Sequence, residues 1–360
     1  MPTPPPYMID KPTTFVVGAL GRLVDPFSIQ VAVYDVSTEA KQAAPVQVFP
    51  TLPATRYALV SGDKVGTGYF SAPYVAAPAE AKGRRLVRWW VVLESGDDEI
   101  TWTTEWEVLA SPLPRTGPAY ALVSDLRDEG FTTAQLSDVR AQAMIVAASR
   151  MIERFTGRVF VPVPKTINAD GKGSAALLLD EPIVAVNAIT IDDDYYTGIG
   201  SSTVSDLLRI YNRHVRDGLT MPDDRENPRI EFFHADGFGR NVSYGARMVF
   251  PRGQQNVHVD GVFGYTDPDG SPMGRTPELI RRVAVLLVRR LYGKIGDPNA
   301  GSESSAWRVT AEKTRDQSIH YSDPAATAKS GTALFGAFTG DGEIDTLIAM
   351  FVRPPMFGAA

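Results

Sequence analysis

The feature that most limits the fold is the stretch Ser111-Pro112-Leu113-Pro114-Arg115-Thr116-Gly117-Pro118. Proline fixes φ and lacks an N–H, so neither a helix nor a strand ladder continues through such a segment. The chain is patterned differently on its two sides. Before it, β-branched and aromatic residues gather in short runs: 14–17, 29–34, 56–60, 86–93 and 101–109. Turn formers such as Ser95-Gly96-Asp97-Asp98 separate them. That is the pattern of antiparallel strands. Residues 13–110 therefore read as an antiparallel β-sandwich, preceded by a flexible arm over 1–12, with 111–118 as the linker.

After the linker a helical period sets in. The first long helix is expected over about 133–156, with Thr132 and Gln135 as a capping box and Gly157 as its stop. Leu136, Val139, Ala143, Val146 and Ala147 lie at helical spacing, and Met144, Ala148, Met151 and Phe155 form a second apolar row. Such a helix, apolar nearly all round from Ala143 to Ile152, expects neighbours on several sides. A β region follows over about 158–265. Its strand candidates are 175–179, 184–191, 207–211, 229–233, 247–250 and 256–263, with turns at Asp170-Gly171 and Asp217-Gly218. The second long helix is expected over about 277–292, with Thr276 as N-cap, Pro277 as first residue, Glu278 at the positive end and Gly293 as stop. Residues 296–342 are rich in Gly, Ser, Ala and Thr and poor in periodicity. A short helix over about 343–352 ends against Pro354-Pro355. The segment 296–360 thus reads as an extended C-terminal arm that orders on a neighbour. The fold class expected is α+β and multidomain.

The motifs of chemistry are missing. The chain has no cysteine, which excludes disulfides and thiolate metal sites. His214, His234, His258 and His320 lack the spacing of a helical zinc site. His258 alternates with Val257 and Val259, which places it on the polar face of a strand. Asp192-Asp193-Asp194 lacks the glycine and distal glutamate of a calcium loop and reads as a hairpin turn. Neither Gly198-Ile199-Gly200-Ser201-Ser202 nor Gly18-Ala19-Leu20-Gly21-Arg22 carries the lysine of a phosphate loop, and no Gly-x-Ser-x-Gly elbow occurs. No enzyme activity, metal or cofactor is expected. The N-terminus lacks the pattern of a signal peptide, and no apolar run is long enough for a transmembrane helix, so no membrane partner is expected.

A net charge of −6 gives no reason to expect general nucleic-acid binding and leaves room for a local basic patch. Arg281, Arg282, Arg289, Arg290 and Lys294 oppose the apolar row Ile280, Val283, Ala284, Leu287 and Leu291. They make a candidate basic stripe facing solvent, an acidic partner or passing DNA. Arg84, Arg85 and Arg88 are a weaker group of the same kind. Trp89 and Trp90 point to opposite faces of a strand, while Trp102 and Trp106 share one. The tryptophans fit core packing. Their alternative use is a saccharide platform, which would make the chain an adhesion or glycan-binding protein of a virion or cell surface.

Four phrases after the linker resemble the head–tail connector, or adaptor, proteins of tailed bacteriophages. The first runs from Ser124-Asp125-Leu126-Arg127 to Arg154-Phe155-Thr156-Gly157-Arg158-Val159-Phe160. The second is Leu177-Leu178-Leu179-Asp180-Glu181-Pro182-Ile183-Val184-Ala185-Val186. The third is Asn256-Val257-His258-Val259-Asp260-Gly261-Val262-Phe263-Gly264-Tyr265-Thr266, followed by Thr276-Pro277-Glu278-Leu279-Ile280. The fourth is the terminal helix with Arg353-Pro354-Pro355. The resemblance covers about residues 119–360.

It implies a connector domain over 119–295, with two long helices and an inserted β region, and the arm over 296–360. It also implies a homo-oligomeric ring, dodecameric in that family, in the virion neck between the portal and a tail or tail-completion protein. The virion would be assembled in the host cytoplasm, and DNA would pass through the ring's central channel without sequence-specific binding. On that reading Met144, Ala148, Met151 and Phe155 are candidate inter-subunit residues. Trp307, Ile319, Tyr321, Leu334, Phe335, Phe338, Leu347 and Phe351 are candidate portal contacts. The N-terminal domain lies outside the resemblance and is only loosely immunoglobulin-like.

Overall fold

A computed structural model of the chain describes residues 12–18, 21–35, 46–49, 64–71, 83–109, 117–191, 194–195, 208–211, 225, 227–232, 249–296, 311–313, 318–320, 339 and 341–353. The fold is α+β, with several antiparallel sheets and, among the described residues, four helices. Two compact units are each assembled from two stretches of chain. Unit 1 is Met1–Pro114 with Val159–Thr276, and unit 2 is Arg115–Arg158 with Pro277–Ala360. This grouping cuts across the order expected from the linker. The second β region goes with the N-terminal strands, and the helices go with the C-terminal segment.

The first seven strands are β1 (Thr13–Phe15), β2 (Ser28–Asp35), β3 (Val46–Phe49), β4 (Lys64–Gly66), β5 (Tyr69–Ser71), β6 (Gly83–Val92) and β7 (Ile100–Val108). They form a four-stranded sheet, β3-β2-β6-β7, and a three-stranded sheet, β1-β5-β4. Alternation does the work: Val87, Trp89 and Val91 of β6 turn inward beside Ile29, Val31 and Val33 of β2. Phe70 of β5 and Val16 join the same cluster, so the two sheets share a core. The expected run 56–60 lies outside the described residues.

Seven more strands complete unit 1: β8 (Val163–Gly171), β9 (Ala176–Leu178), β10 (Ile183–Ile191), β11 (Asp194–Tyr195), β12 (Leu208–Ile210), β13 (Arg229–Phe232) and β14 (Gly253–Phe263). Their sheets run β11-β10-β14-β8 and β12-β13-β9. One apolar cluster, including Leu177, Ile189, Ile230, Phe250, Val259 and Phe263, is drawn from both. A second cluster explains the grouping of unit 1. Phe15, Val17 and Leu23 pack with Val184, Ala185 and Val262. The Leu23 N–H donates to the Val186 carbonyl at 3.1 Å.

Strand β8 was not expected. Its alternation is between exposed and half-buried positions (Pro164, Thr166 and Asn168 face solvent); Ile167 and Ala169 pack on the core, but Lys165 interrupts the apolar face. Asp170-Gly171 is the end of this strand rather than a turn, and Gly171 pairs with Gly253. Of the run 247–250, Phe250 makes an isolated bridge to Ser174. Asp217-Gly218 lies outside the described residues.

Unit 2 contains α1 (Val123–Asp128), α2 (Asp138–Thr156), α3 (Glu278–Gly296) and α4 (Gly342–Ala349), with a hairpin of β15 (Ala311–Lys313) and β16 (Ser318–His320). The expected capping box does form: the Thr132 N–H donates to Gln135 Oε1 at 2.9 Å, and the Gln135 N–H to Thr132 Oγ1 at 3.3 Å. It closes a separate turn that buries Leu136, however, and α2 begins only after Ser137. Gly157 ends α2 with φ 68°, the left-handed conformation that glycine adopts without a Cβ clash.

The start of α3 also differs from expectation. The Thr276 hydroxyl donates to the Phe160 carbonyl at 3.1 Å instead of capping the helix. Pro277 supplies the carbonyl for the first helical bond, from Arg281 N–H. Gly293 does not stop α3, since an interior glycine costs only about 1 kcal/mol. Pro298 in the sequence disfavours helix in the residue before it.

Candidate functional site

Unit 2 holds the candidate residues, and its helices are fixed by arginines. Arg127 of α1 donates to the Phe131 carbonyl at 3.0 Å, the Leu136 carbonyl at 2.7 Å and the Asp138 carboxylate at 2.7 Å. Arg281 of α3 donates two bonds to Asp125 of α1, Nε at 2.8 Å and Nη2 at 2.6 Å. Asp125 in turn accepts the Leu122 N–H at 2.8 Å. Bidentate pairing of this kind fixes orientation as well as charge.

This geometry divides the expected basic stripe. Arg281 is turned into unit 2 by Asp125. Arg282 reaches Glu343 of α4 at 2.6 Å, in an ion pair with both side chains more than half exposed. Arg289 is exposed and Arg290 half-buried. Lys294 lies in α3, and its side chain is outside the described residues. Of the first-domain arginines, Arg85 is buried and Arg88 lies over the Tyr34 ring at 5.0 Å.

The candidate inter-subunit row divides likewise. Met144 and Ala148 are buried within the unit, while Met151 and Phe155 are half-buried. Among the described residues no neighbour covers the side of α2 on which Ala143 and Ala147 are exposed. Of the candidate portal contacts, Trp307, Tyr321, Leu334, Phe335 and Phe338 lie outside the described residues. Ile319 is placed on β16 by its backbone alone. Leu347 and Phe351 are half-buried, on and beside α4.

Helix α4 belongs to the packing of unit 2. It is capped by Asp341, which accepts the N–H groups of Glu343 at 3.0 Å and Ile344 at 3.3 Å. It buries Ile344 and Ile348. Beyond it the Arg353 N–H donates to the Thr156 carbonyl at 3.0 Å, at the end of α2.

Sequence reasoning missed a row on α2. Arg140, Ala143, Ala147, Arg150 and Arg154 are all exposed, at spacings of three and four residues. The signal was present, but the two alanines had been counted as part of an apolar row. The two carboxylates of α2 are engaged elsewhere. Asp138 is held by Arg127, and Glu153 accepts the Tyr120 hydroxyl at 2.7 Å.

Trp89, Trp102 and Trp106 belong to a core cluster. Trp89 and Trp102 are buried, Trp106 packs against the same cluster, and the Trp102 indole N–H donates to Thr14 at 3.0 Å. His258 lies on the polar side of β14, with Nδ1 2.7 Å from Asn168 Oδ1. Ile191 pairs with Asp194, and Asp192 and Asp193 lie outside the described residues. Among the described residues no group of three or more His, Asp or Glu side chains is arranged to hold a metal ion. No described helix is long and apolar enough to cross a membrane. No protein-family model matches the chain, and no curated protein matches its sequence.

Proposed function

We propose that the chain is a structural subunit of a phage head–tail connector, a ring of identical copies in the virion neck between the portal and the tail. The observation that carries this reading is that the four resembling phrases meet in pairs. The Thr156-Gly157 exit of α2 is bonded by Arg353, which joins the first phrase to the fourth. The second and third phrases lie on adjacent strands, with Ala185 opposite Val262 and Val186 opposite Gly261. The N-terminal sheets, with their common core, fit an immunoglobulin-like sandwich carried by the same subunit.

The packing of α4 narrows the arm. Ile344 and Ile348 tie the end of the chain to unit 2, so the portal-binding portion falls between α3 and α4, where Trp307, Leu334, Phe335 and Phe338 lie. Neighbouring copies would meet through heterologous, ring-closing contacts. The test is a pull-down with portal protein, comparing the full chain with a variant carrying Trp307→Ala, Leu334→Ala, Phe335→Ala and Phe338→Ala. Loss of portal binding by a folded variant is expected. Unchanged binding overturns the arm, and no binding by the full chain to portal, alone or assembled, overturns the connector reading.

A further inference from the structure

We propose that α4 is an exchangeable element: it docks on the seat formed by α2 and α3 of its own chain or on the same seat of a second copy, so that neighbouring copies are joined by swapping it. The inference goes beyond the connector reading, since it needs only a second copy of this chain. What fills the seat is visible, because α4 packs against α3 and α2 within unit 2. Its anchors are few. Ile344 and Ile348 are buried, Glu343 pairs with Arg282 of α3, and the Arg353 N–H donates to the Thr156 carbonyl at the end of α2. A second copy offers every one of these groups in the same arrangement.

The helix is also portable. At eight residues it is too short to persist alone in water, so it must have a seat. Its start, however, is built from its own residues. Asp341 accepts the N–H groups of Glu343 and Ile344, and the Asp345 carboxylate accepts the Thr339 N–H at 2.7 Å and the Thr339 hydroxyl at 2.6 Å. None of these bonds involves α1, α2 or α3, so the cap travels with the helix.

Reach permits the transfer. Helix α3 ends at Gly296, and the cap of α4 is Asp341. The hairpin β15–β16 divides the sequence between them into residues 297–310 and 321–340, stretches of 14 and 20 residues. Fully extended they span about 45 and about 65 Å. Each exceeds the length of α2, whose 19 residues measure about 28 Å. The contacts are the same in both arrangements, so concentration sets the balance. A tether holds its own α4 near its own seat at an effective concentration on the order of millimolar. In dilute solution the chain's own seat wins. Where copies are packed side by side, a neighbour's seat competes on equal terms. Each copy giving α4 to the next is a heterologous contact, the kind that closes a ring.

The chain has no cysteine, and the side chains of Arg282 and Glu343 are both more than half exposed, so single thiols can be placed at these two positions. An exposed ion pair contributes little, and its loss leaves the docking on the isoleucines intact. Full-length Arg282→Cys, enriched in nitrogen-15, is mixed with unlabelled Glu343→Cys over a concentration series and treated with a short bis-maleimide. Mass spectrometry then reads links between labelled and unlabelled chains. Links from position 282 of one copy to position 343 of the other are expected, with a yield that rises with protein concentration. Adding Ile348→Ala to the Glu343→Cys chain should lower that yield at least about tenfold. Arg140→Cys in place of Arg282→Cys marks the level of random collision, since Arg140 is exposed and about 24 Å along α2 from Thr156. The double variant, Arg282→Cys with Glu343→Cys, should link within one chain at low concentration. Links between copies at the Arg140→Cys level throughout the series, with the double variant linking within one chain, fix α4 to its own copy and overturn the proposal. An undiminished yield with Ile348→Ala overturns it as well, and so does failure of the double variant to link at all. Portal pull-down separates the two readings: an α4 confined to its own copy, with portal binding retained, sinks the exchange and leaves the connector standing.

Discussion

Arg281 and Asp125 meet fork to fork, at 2.8 and 2.6 Å, across 156 residues of sequence. The pair joins α3 to α1, and both side chains are mostly buried. Asp125 also holds the first turn of α1 through the Leu122 N–H. Replacing Arg281 by alanine leaves that carboxylate without its main partner. A loss of about 2 kcal/mol is expected, the scale of charged hydrogen bonds. Urea unfolding of the purified chain measures it. Arg281→Lys should recover only part, since an ammonium cannot reproduce the bidentate geometry.

Ser149 couples α2 to the chain that enters it. Its hydroxyl donates to the Ile145 carbonyl at 2.8 Å and accepts the Tyr120 N–H at 3.0 Å, and the residue is fully buried. Ser149→Ala removes the acceptor and strands a buried amide. The expected cost is about 1–3 kcal/mol. Hydrogen exchange at Tyr120 should accelerate more than exchange in the middle of α2.

Ile348 is fully buried on α4. Ile348→Ala should cost about 2–5 kcal/mol if the helix stays docked. Its hydrogen-exchange signature distinguishes a docked helix from an arm: protection should fall across α4. A variant with unchanged protection would return α4 to the arm.

Gly68 sits at the turn between β4 and β5 with φ 64°. A Cβ there would lie 2.9 Å from the Val16 carbonyl oxygen and 2.9 Å from the Val24 nitrogen. Gly96, with φ 96°, has open space around it. Both alanine variants meet left-handed strain of about 1–2 kcal/mol. Only Gly68→Ala must also move backbone, so its melting temperature should fall further than that of Gly96→Ala.

Local pattern made part of this legible. Trp89, Val87 and Val91 announce β6 by alternation, and Gly157 announces the end of α2. Strand β8 was missed because Lys165 interrupts the alternation of Val163, Ile167 and Ala169 on its inward face. The Thr132–Gln135 box was read correctly as a local motif and wrongly as the start of α2, because a short turn satisfies the same two bonds. The grouping of Phe15 and Leu23 with Val184 and Val262 depends on long-range packing that no window of sequence contains. The candidate stripe on α3 was a sound reading of helical spacing. Whether a cation faces outward is decided by what stands opposite, and Asp125 stands opposite Arg281.

The bond from Leu23 to Val186 has a consequence for synthesis. As the chain leaves the ribosome, β2, β6 and β7 can pair early, but Leu23 must wait until β10 has emerged. Unit 2 waits longer, because α2 is made long before α3 and α4. Its exposed apolar face must be kept from wrong partners until the last stretch is translated. Contacts so distant in sequence also slow the search itself. A truncated product ending before β10 would expose Phe15, Val17 and Leu23, and one ending before α3 would expose Ile145 and Ile152. Both are targets for chaperones and proteases, so the chain becomes durable only once α3 and α4 are made.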